Sequence, residues 1–135
     1  MKLYLLDTNH ISFYFKADSP LEEKIKTAAS SRIAKFGFST STLAELWYMV
    51  YKSQRFQQNV QLLQELLDQY THWKFDEHAA KKFGQLKTHL RRSGRNVADV
   101  DLQIAAVAIT NDLVLLTADK AFANIPDLIS ENWLA

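Results

Sequence analysis

Leu3-Tyr4-Leu5-Leu6-Asp7-Thr8-Asn9 is the stretch on which the reading of this chain turns. Four consecutive apolar residues are too few for a helical core but suit a strand buried on both faces, as the central strand of a parallel sheet is. Asp7 follows at its carboxyl end. In open α/β sheets ligands bind outside the carboxyl ends of the strands, where strand order reverses, so an acid there is poorly placed for packing and well placed for chemistry. The plainer role for Asp7 or Asn9 is to cap a helix beginning near His10. Asp-Thr-Asn alone does not separate the two.

Outward from this stretch, strand and helix patterns alternate. A short helix is expected over Ile11 to Lys16, then Ser19 as N-cap and Pro20 as first residue of a helix over Leu21 to Ala29. Phe36 to Ser39 reads as a second strand. Thr42-Leu43-Ala44-Glu45 has the spacing of a capping box, opening a helix with Leu43, Leu46, Trp47, Val50 and Tyr51 apolar. Gln57 to Tyr70 is a further helix, on which Leu62 and Leu66 add a second apolar stripe. Trp73 to Phe75 is a third strand, and Glu77 to Arg92 a helix closed by Gly94. Asp99 to Thr110 has almost no polar face beyond its acidic start and is expected to be buried nearly all round. Leu113 to Thr117 is a fourth strand, and Asp127 to Ile129 a short edge strand. The pattern predicts a three-layer α/β/α sandwich with a central parallel sheet of four to five strands, in one domain spanning residues 1–135.

Composition narrows the function. The 135 residues are 47% hydrophobic and 23% charged with a net charge of +1, so any nucleic-acid contact must be confined to a local patch. No cysteine is present, which removes disulfides, thiolate metal sites and cysteine nucleophiles and suits a cytoplasmic protein. The densest apolar run, Ile104 to Ile109, is six residues and far short of a membrane span. His10, His72, His78 and His89 lack metal-ligand spacing and read as surface or packing residues.

Four acids stand out by position. Asp7 and Asp119 each follow a strand, while Glu45 and Asp101 lie in first turns of helices; parallel topology brings all four to one sheet edge. Each has an ordinary explanation as a cap or a dipole partner. Together they would repel, and the set makes sense mainly with a divalent metal among them. Cations precede Asp101: Lys87, Arg91, Arg92 and Arg95 are candidate RNA-phosphate contacts, of which Arg91 or Arg92 could instead complement the negative end of their own helix and Arg95, beyond Gly94, is the better candidate.

These residues resemble the PIN-domain nucleases, and within them the VapC-type toxins of toxin–antitoxin pairs. Leu5-Leu6-Asp7-Thr8-Asn9 is similar to the family's opening motif, and Thr42-Leu43-Ala44-Glu45-Leu46 with Tyr48 and Lys52-Ser53 to its second. Arg92-Ser93-Gly94-Arg95 leading to Asp101-Leu102-Gln103-Ile104-Ala105-Ala106 resembles the third, and Thr117-Ala118-Asp119 with Phe122 and Glu131-Asn132-Trp133 the tail. The resemblance implies an endoribonuclease whose Asp7, Glu45, Asp101 and Asp119 bind Mg2+ or Mn2+, supported by Thr8, Asn9 and Thr117. Asp99 then reads as N-cap rather than primary ligand. The resemblance also implies an RNA substrate, a cognate antitoxin and a homodimer. Trp47, Tyr48, Tyr51, Leu62 and Leu66 exceed the apolar surface one core needs and are expected to line a groove for the antitoxin. A phosphatase using Asp-x-Asp is disfavoured by Asn9, and a phosphorylated receiver domain by the lack of its acidic pair. A catalytically inactive PIN scaffold, or a PIN nuclease outside a toxin–antitoxin system, is the remaining alternative.

Overall fold

The computed structural model describes residues 1–11 and 20–133. Its centre is a five-stranded sheet in the order β3-β2-β1-β4-β5. The strands are β1 (Lys2–Leu6), β2 (Ala34–Ser39), β3 (Thr71–Trp73), β4 (Val114–Leu116) and β5 (Ser130–Glu131). Every neighbouring pair is parallel. β1 lies in the middle, with Leu5 opposite Gly37 on one side and Leu115 on the other. The chain moves one way from β1 to β2 and the other way to β4, so strand order reverses beside β1, where α/β sheets open a crevice.

The pleat of β1 divides the core. Tyr4 and Leu6 face a layer made by α2 (Pro20–Ser30), α3 (Thr40–Lys52) and α4 (Phe56–Gln69), through Leu21, Ile25, Leu46, Val50, Leu63 and Leu66. Leu5 points to the opposite layer, α5 (Glu77–Arg92) and α6 (Asp99–Thr110). In α6, Leu102 and Ile104 to Ala108 are all buried, because the helix sits between the sheet and α5. The three-layer sandwich expected from the alternating pattern is therefore the one observed.

Local details differ from the sequence reading. β3 begins at Thr71 and ends at Trp73, two residues earlier than expected, since Gly37 to Ser39 pair with Thr71 to Trp73. The last strand is Ser130–Glu131 rather than Asp127 to Ile129, where the positive φ of Asp127 (66°) breaks the extended backbone. α3 starts two residues before Thr42, and the N-cap is Ser39, whose side chain accepts from the Thr42 amide. Thr42 is consequently inside the first turn and Glu45 in the second, so the expected capping box is not formed and Glu45 is left for other partners. Asp99 is not an N-cap either: Ala98 holds that position, and Asp99 is the first residue of α6. A helix α1 (Thr8–Ile11) begins three residues before the one expected over Ile11 to Lys16. The remaining residues of the expected helix, and the Ser19 cap, lie outside the described residues.

Gly37 shows how tightly the edge is built. A Cβ there would run into the Thr71 carbonyl oxygen and the Trp73 ring. One of these is ladder backbone and cannot retreat without opening the β2–β3 pairing. Gly37→Ala should destabilise the protein by at least about 2 kcal/mol, in the range of overpacked sites. Denaturant unfolding of both proteins measures it, and an unchanged midpoint would contradict the packing described.

Candidate active site

Asp7 stands where β1 ends and α1 begins, and it is buried at 5% exposure. The Asp7 amide donates to the Leu116 carbonyl at 3.0 Å, so β1 and β4 remain paired up to the site itself. Both carboxylate oxygens are held: the Thr8 amide donates to Oδ1 at 2.7 Å and the Thr117 hydroxyl to Oδ2 at 2.9 Å. Burial pushes the Asp7 carboxyl up; the Thr117 and Thr8 hydrogen bonds oppose this, and the charges of Glu45 and Asp119 add to it.

Thr8 links this strand end to α3. Its hydroxyl donates to Glu45 Oε1 at 2.5 Å and lies 3.4 Å from the Thr42 oxygen, which is itself 3.3 Å from the Ser39 hydroxyl. Ser39 and Thr42 are fully buried polar groups that the sequence reading did not assign to the site. Their signal was available in the short run of hydroxyl residues at the end of β2, which caps α3 and aims Glu45 at α1.

Asp119 follows β4. Its amide donates to the Thr117 hydroxyl oxygen at 3.0 Å, while its Oδ1 accepts from the Ala121 amide and caps the one-turn 3-10 helix Lys120–Phe122. Asp101 occupies the first turn of α6. Its carboxyl is raised to about 6, first by burial and then by the charges of Asp119, Asp7 and Glu45. The four acids named from the sequence thus share one electrostatic environment at the carboxyl edge of the sheet. Asn9 is exposed on α1 beside them.

Among the described residues, no three His, Asp or Glu side chains are arranged to hold an ion as they stand. The donor chemistry nonetheless fits a hard divalent cation. The convergent groups are carboxylate oxygens, they repel one another, and Asp101 carries a raised pKa that a neighbouring cation would reverse.

Other predicted residues fare differently. Lys87 pairs with Asp99 at 2.9 Å, so Asp99 points to α5 rather than serving as a cap. Arg95 donates from Nη1 to the Asn124 carbonyl at 2.9 Å and from Nη2 to the Ala123 carbonyl at 2.8 Å, which ties down the loop after Asp119. The geometry gives Arg95 a loop-anchoring role. Arg91 and Arg92 are exposed in the last turn of α5. Leu66 is fully buried in the core and cannot line a groove, because α4 turns it inward with Leu63; Leu62 is only partly covered. Trp47, Tyr51 and Phe56 form a continuous aromatic run, with centroids 5.9 and 5.4 Å apart. His10 is buried and its pKa falls to about 4 through burial alone, as expected for a packing histidine.

Residues 4–128 match the PIN-domain family model. Ribonuclease VapC2 of Rickettsia felis is 34% identical over 97% of this chain and 98% of its own length. The tRNA(fMet)-specific endonuclease VapC of Shigella flexneri is 29% identical over 98% of this chain and 99% of its own. The structure of VapBC2 from Rickettsia felis bound to a DNA fragment from their promoter contains a chain that superimposes with a TM-score of 0.88 at 31% identity, covering 97% of this chain and 98% of that one, and VapBC-5 from Mycobacterium tuberculosis, a member of the VapBC family of toxin–antitoxin systems, contains one with a TM-score of 0.71 at 26% identity, covering 98% of this chain and 99% of that one.

The crowded acids make a stability forecast. Asp101 is protonated more readily in the folded state, near pH 6, than in the unfolded chain at 3.8, so across that window the native state holds the extra proton. Stability contributed by this group therefore falls as pH rises from about 4 to 6, and the full penalty stands above it. Without divalent metal, Asp101→Asn should be more stable than the wild type at pH 7 by about 1–3 kcal/mol, partial solvent screening included. The advantage should shrink towards pH 4. Thermal melts in chelator across this range test it, and a pH-independent difference would show that Asp101 does not feel its neighbours.

Proposed function

The chain belongs to the PIN-domain family and, within it, to the VapC-type ribonucleases, and on that premise we propose that it is a metal-dependent endoribonuclease acting as the toxin of a toxin–antitoxin pair in the cytoplasm. The observation that carries the reading is that Asp7 and Asp101, buried and half-buried at the sheet's carboxyl edge, lie within the electrostatic reach of Glu45 and Asp119. An inactive scaffold has no reason to keep that repulsion.

Asp7 and Asp101 are the proposed principal ligands of Mg2+ or Mn2+, with Glu45 and Asp119 completing the acidic surround. When bound, such an ion supplies Lewis acidity, lowering the pKa of water for in-line attack on phosphorus and offsetting charge on the leaving oxygen. The protein's own part is orientation. Thr117 and Thr8 fix both oxygens of Asp7, and the Thr8 hydroxyl holds Glu45 where it can accept a proton from an attacking water. Burial of Asp7 keeps bulk solvent from competing for the carboxylate.

The similarity to VapBC structures, a family of toxin–antitoxin systems, supports a cognate antitoxin as partner. Of the residues expected to line an antitoxin groove, Trp47 and Tyr51, joined to Phe56 in one aromatic run, are the proposed seat of an apolar antitoxin segment, whereas Tyr48 has no ring contact with that run among the described residues; a homodimer is the proposed assembly. Among the described residues no helix is long and apolar enough to cross a membrane.

Cleavage of RNA by the purified protein should require added magnesium or manganese and stop in chelator. Asp7→Asn and Asp101→Asn should each reduce the rate at least about a hundredfold, and each should relieve growth arrest on expression without the antitoxin. Undiminished cleavage in chelator, or by both variants, would refute the assignment.

A further inference from the structure

Resting on the endoribonuclease reading, we propose that one flank of α3 forms a landing strip for single-stranded RNA beside the acids, with Tyr48 stacking on a base and Lys52 neutralising a phosphate. Glu45, Tyr48 and Lys52 are spaced by three and four residues and so share one side of the helix. At about 1.5 Å per residue, Tyr48 and Lys52 lie roughly 5 and 10 Å beyond Glu45 along the axis. Core residues Thr42, Leu46 and Val50 occupy another side. Ser41, one turn before Glu45, donates to Gln103 Oε1 at 2.7 Å, which places this flank next to α6 two residues beyond Asp101. The strip therefore begins at the acidic edge and leads away from it.

Its side chains suit RNA. Tyr48 is 66% exposed and, among the described residues, makes no ring contact with the Trp47–Tyr51–Phe56 run. The Lys52 ammonium sits 4.9 Å from the Tyr48 ring centroid, so ring and charge form one unit with an apolar face and a cation. Among the described residues no carboxylate pairs with Lys52, whereas Lys87 is bound to Asp99 and Arg95 to two carbonyls. A ring stacks on any base, and a local cation is all that a net charge of +1 requires for backbone attraction.

Binding of a labelled, mixed-sequence single-stranded oligoribonucleotide to the full chain in chelator tests the strip without cleavage. Tyr48→Ala should weaken binding about five- to a hundredfold, and Tyr48→Phe should keep it within about twofold because the stacking face survives. Lys52→Gln should lower the slope of log affinity against log salt by about 0.7, while Lys35→Gln, at an exposed site on β2, should leave it unchanged. Wild-type affinity in both Tyr48→Ala and Lys52→Gln would overturn the strip. So would sedimentation showing that Tyr48→Ala loses RNA only because it dissociates a homodimer, which would make this flank an interface between copies. Manganese-supported cleavage by the wild type is followed in parallel. Its absence with the binding pattern intact would remove the nuclease reading and leave the strip standing, and its presence with unaffected binding would remove the strip alone.

Discussion

The hydrogen bond from the Asp7 amide to the Leu116 carbonyl, with the Thr117 hydroxyl on the Asp7 carboxylate, is the joint on which the molecule depends. Parallel strands put their carboxyl ends on one edge, and β1 pairs with both β2 and β4. Carrying the β1–β4 ladder as far as the first acid makes the strand end rigid. Asp7 is then positioned by the same bonds that hold the sheet together, and the site inherits the order of the core. Glu45 gains the same order indirectly, through the Thr8 hydroxyl and the buried Ser39 and Thr42 beneath it.

This arrangement sets stability against chemistry. Burial raises the proton affinity of Asp7 and Asp101, and the neighbouring carboxylates at the same edge add to it. The two large apolar clusters on either side of the sheet offset that strain. α6 illustrates the division of labour: its buried apolar residues fix the helix between sheet and α5, which leaves its first turn free to present Asp101 to the other acids.

The cations follow a different logic. Those nearest Asp101 in the chain are spent on structure, Lys87 against Asp99 and Arg95 on the carbonyls of the loop after Asp119. Arg95 holds the segment that carries Asp119, so its removal would reach the acids through that loop. Lys52, distant from Asp101 in sequence, comes to the same side of the molecule because α3 and α6 meet at Ser41 and Gln103.

Residue order alone determined the alternation of strands and helices, the burial of α6 and the placing of four acids at one edge, because apolar periodicity and parallel connectivity are local and topological rules. Glu77–Arg92 and Asp99–Thr110 have the bounds their patterns imply. Other features depended on which groups meet in space. Ser39 displaced Thr42 as the cap of α3, and Lys87 drew Asp99 away from a capping role. β3 shifted its register to pair with Gly37, whose missing side chain admits the Trp73 ring. Leu66, apolar like Leu62, went to the core because of the side of α4 it occupies against the sheet. Hydrogen-bond partners, strand register and the choice between buried and exposed apolar residues are settled by long-range packing, in which several short-range solutions of similar energy compete and only the assembled core selects among them.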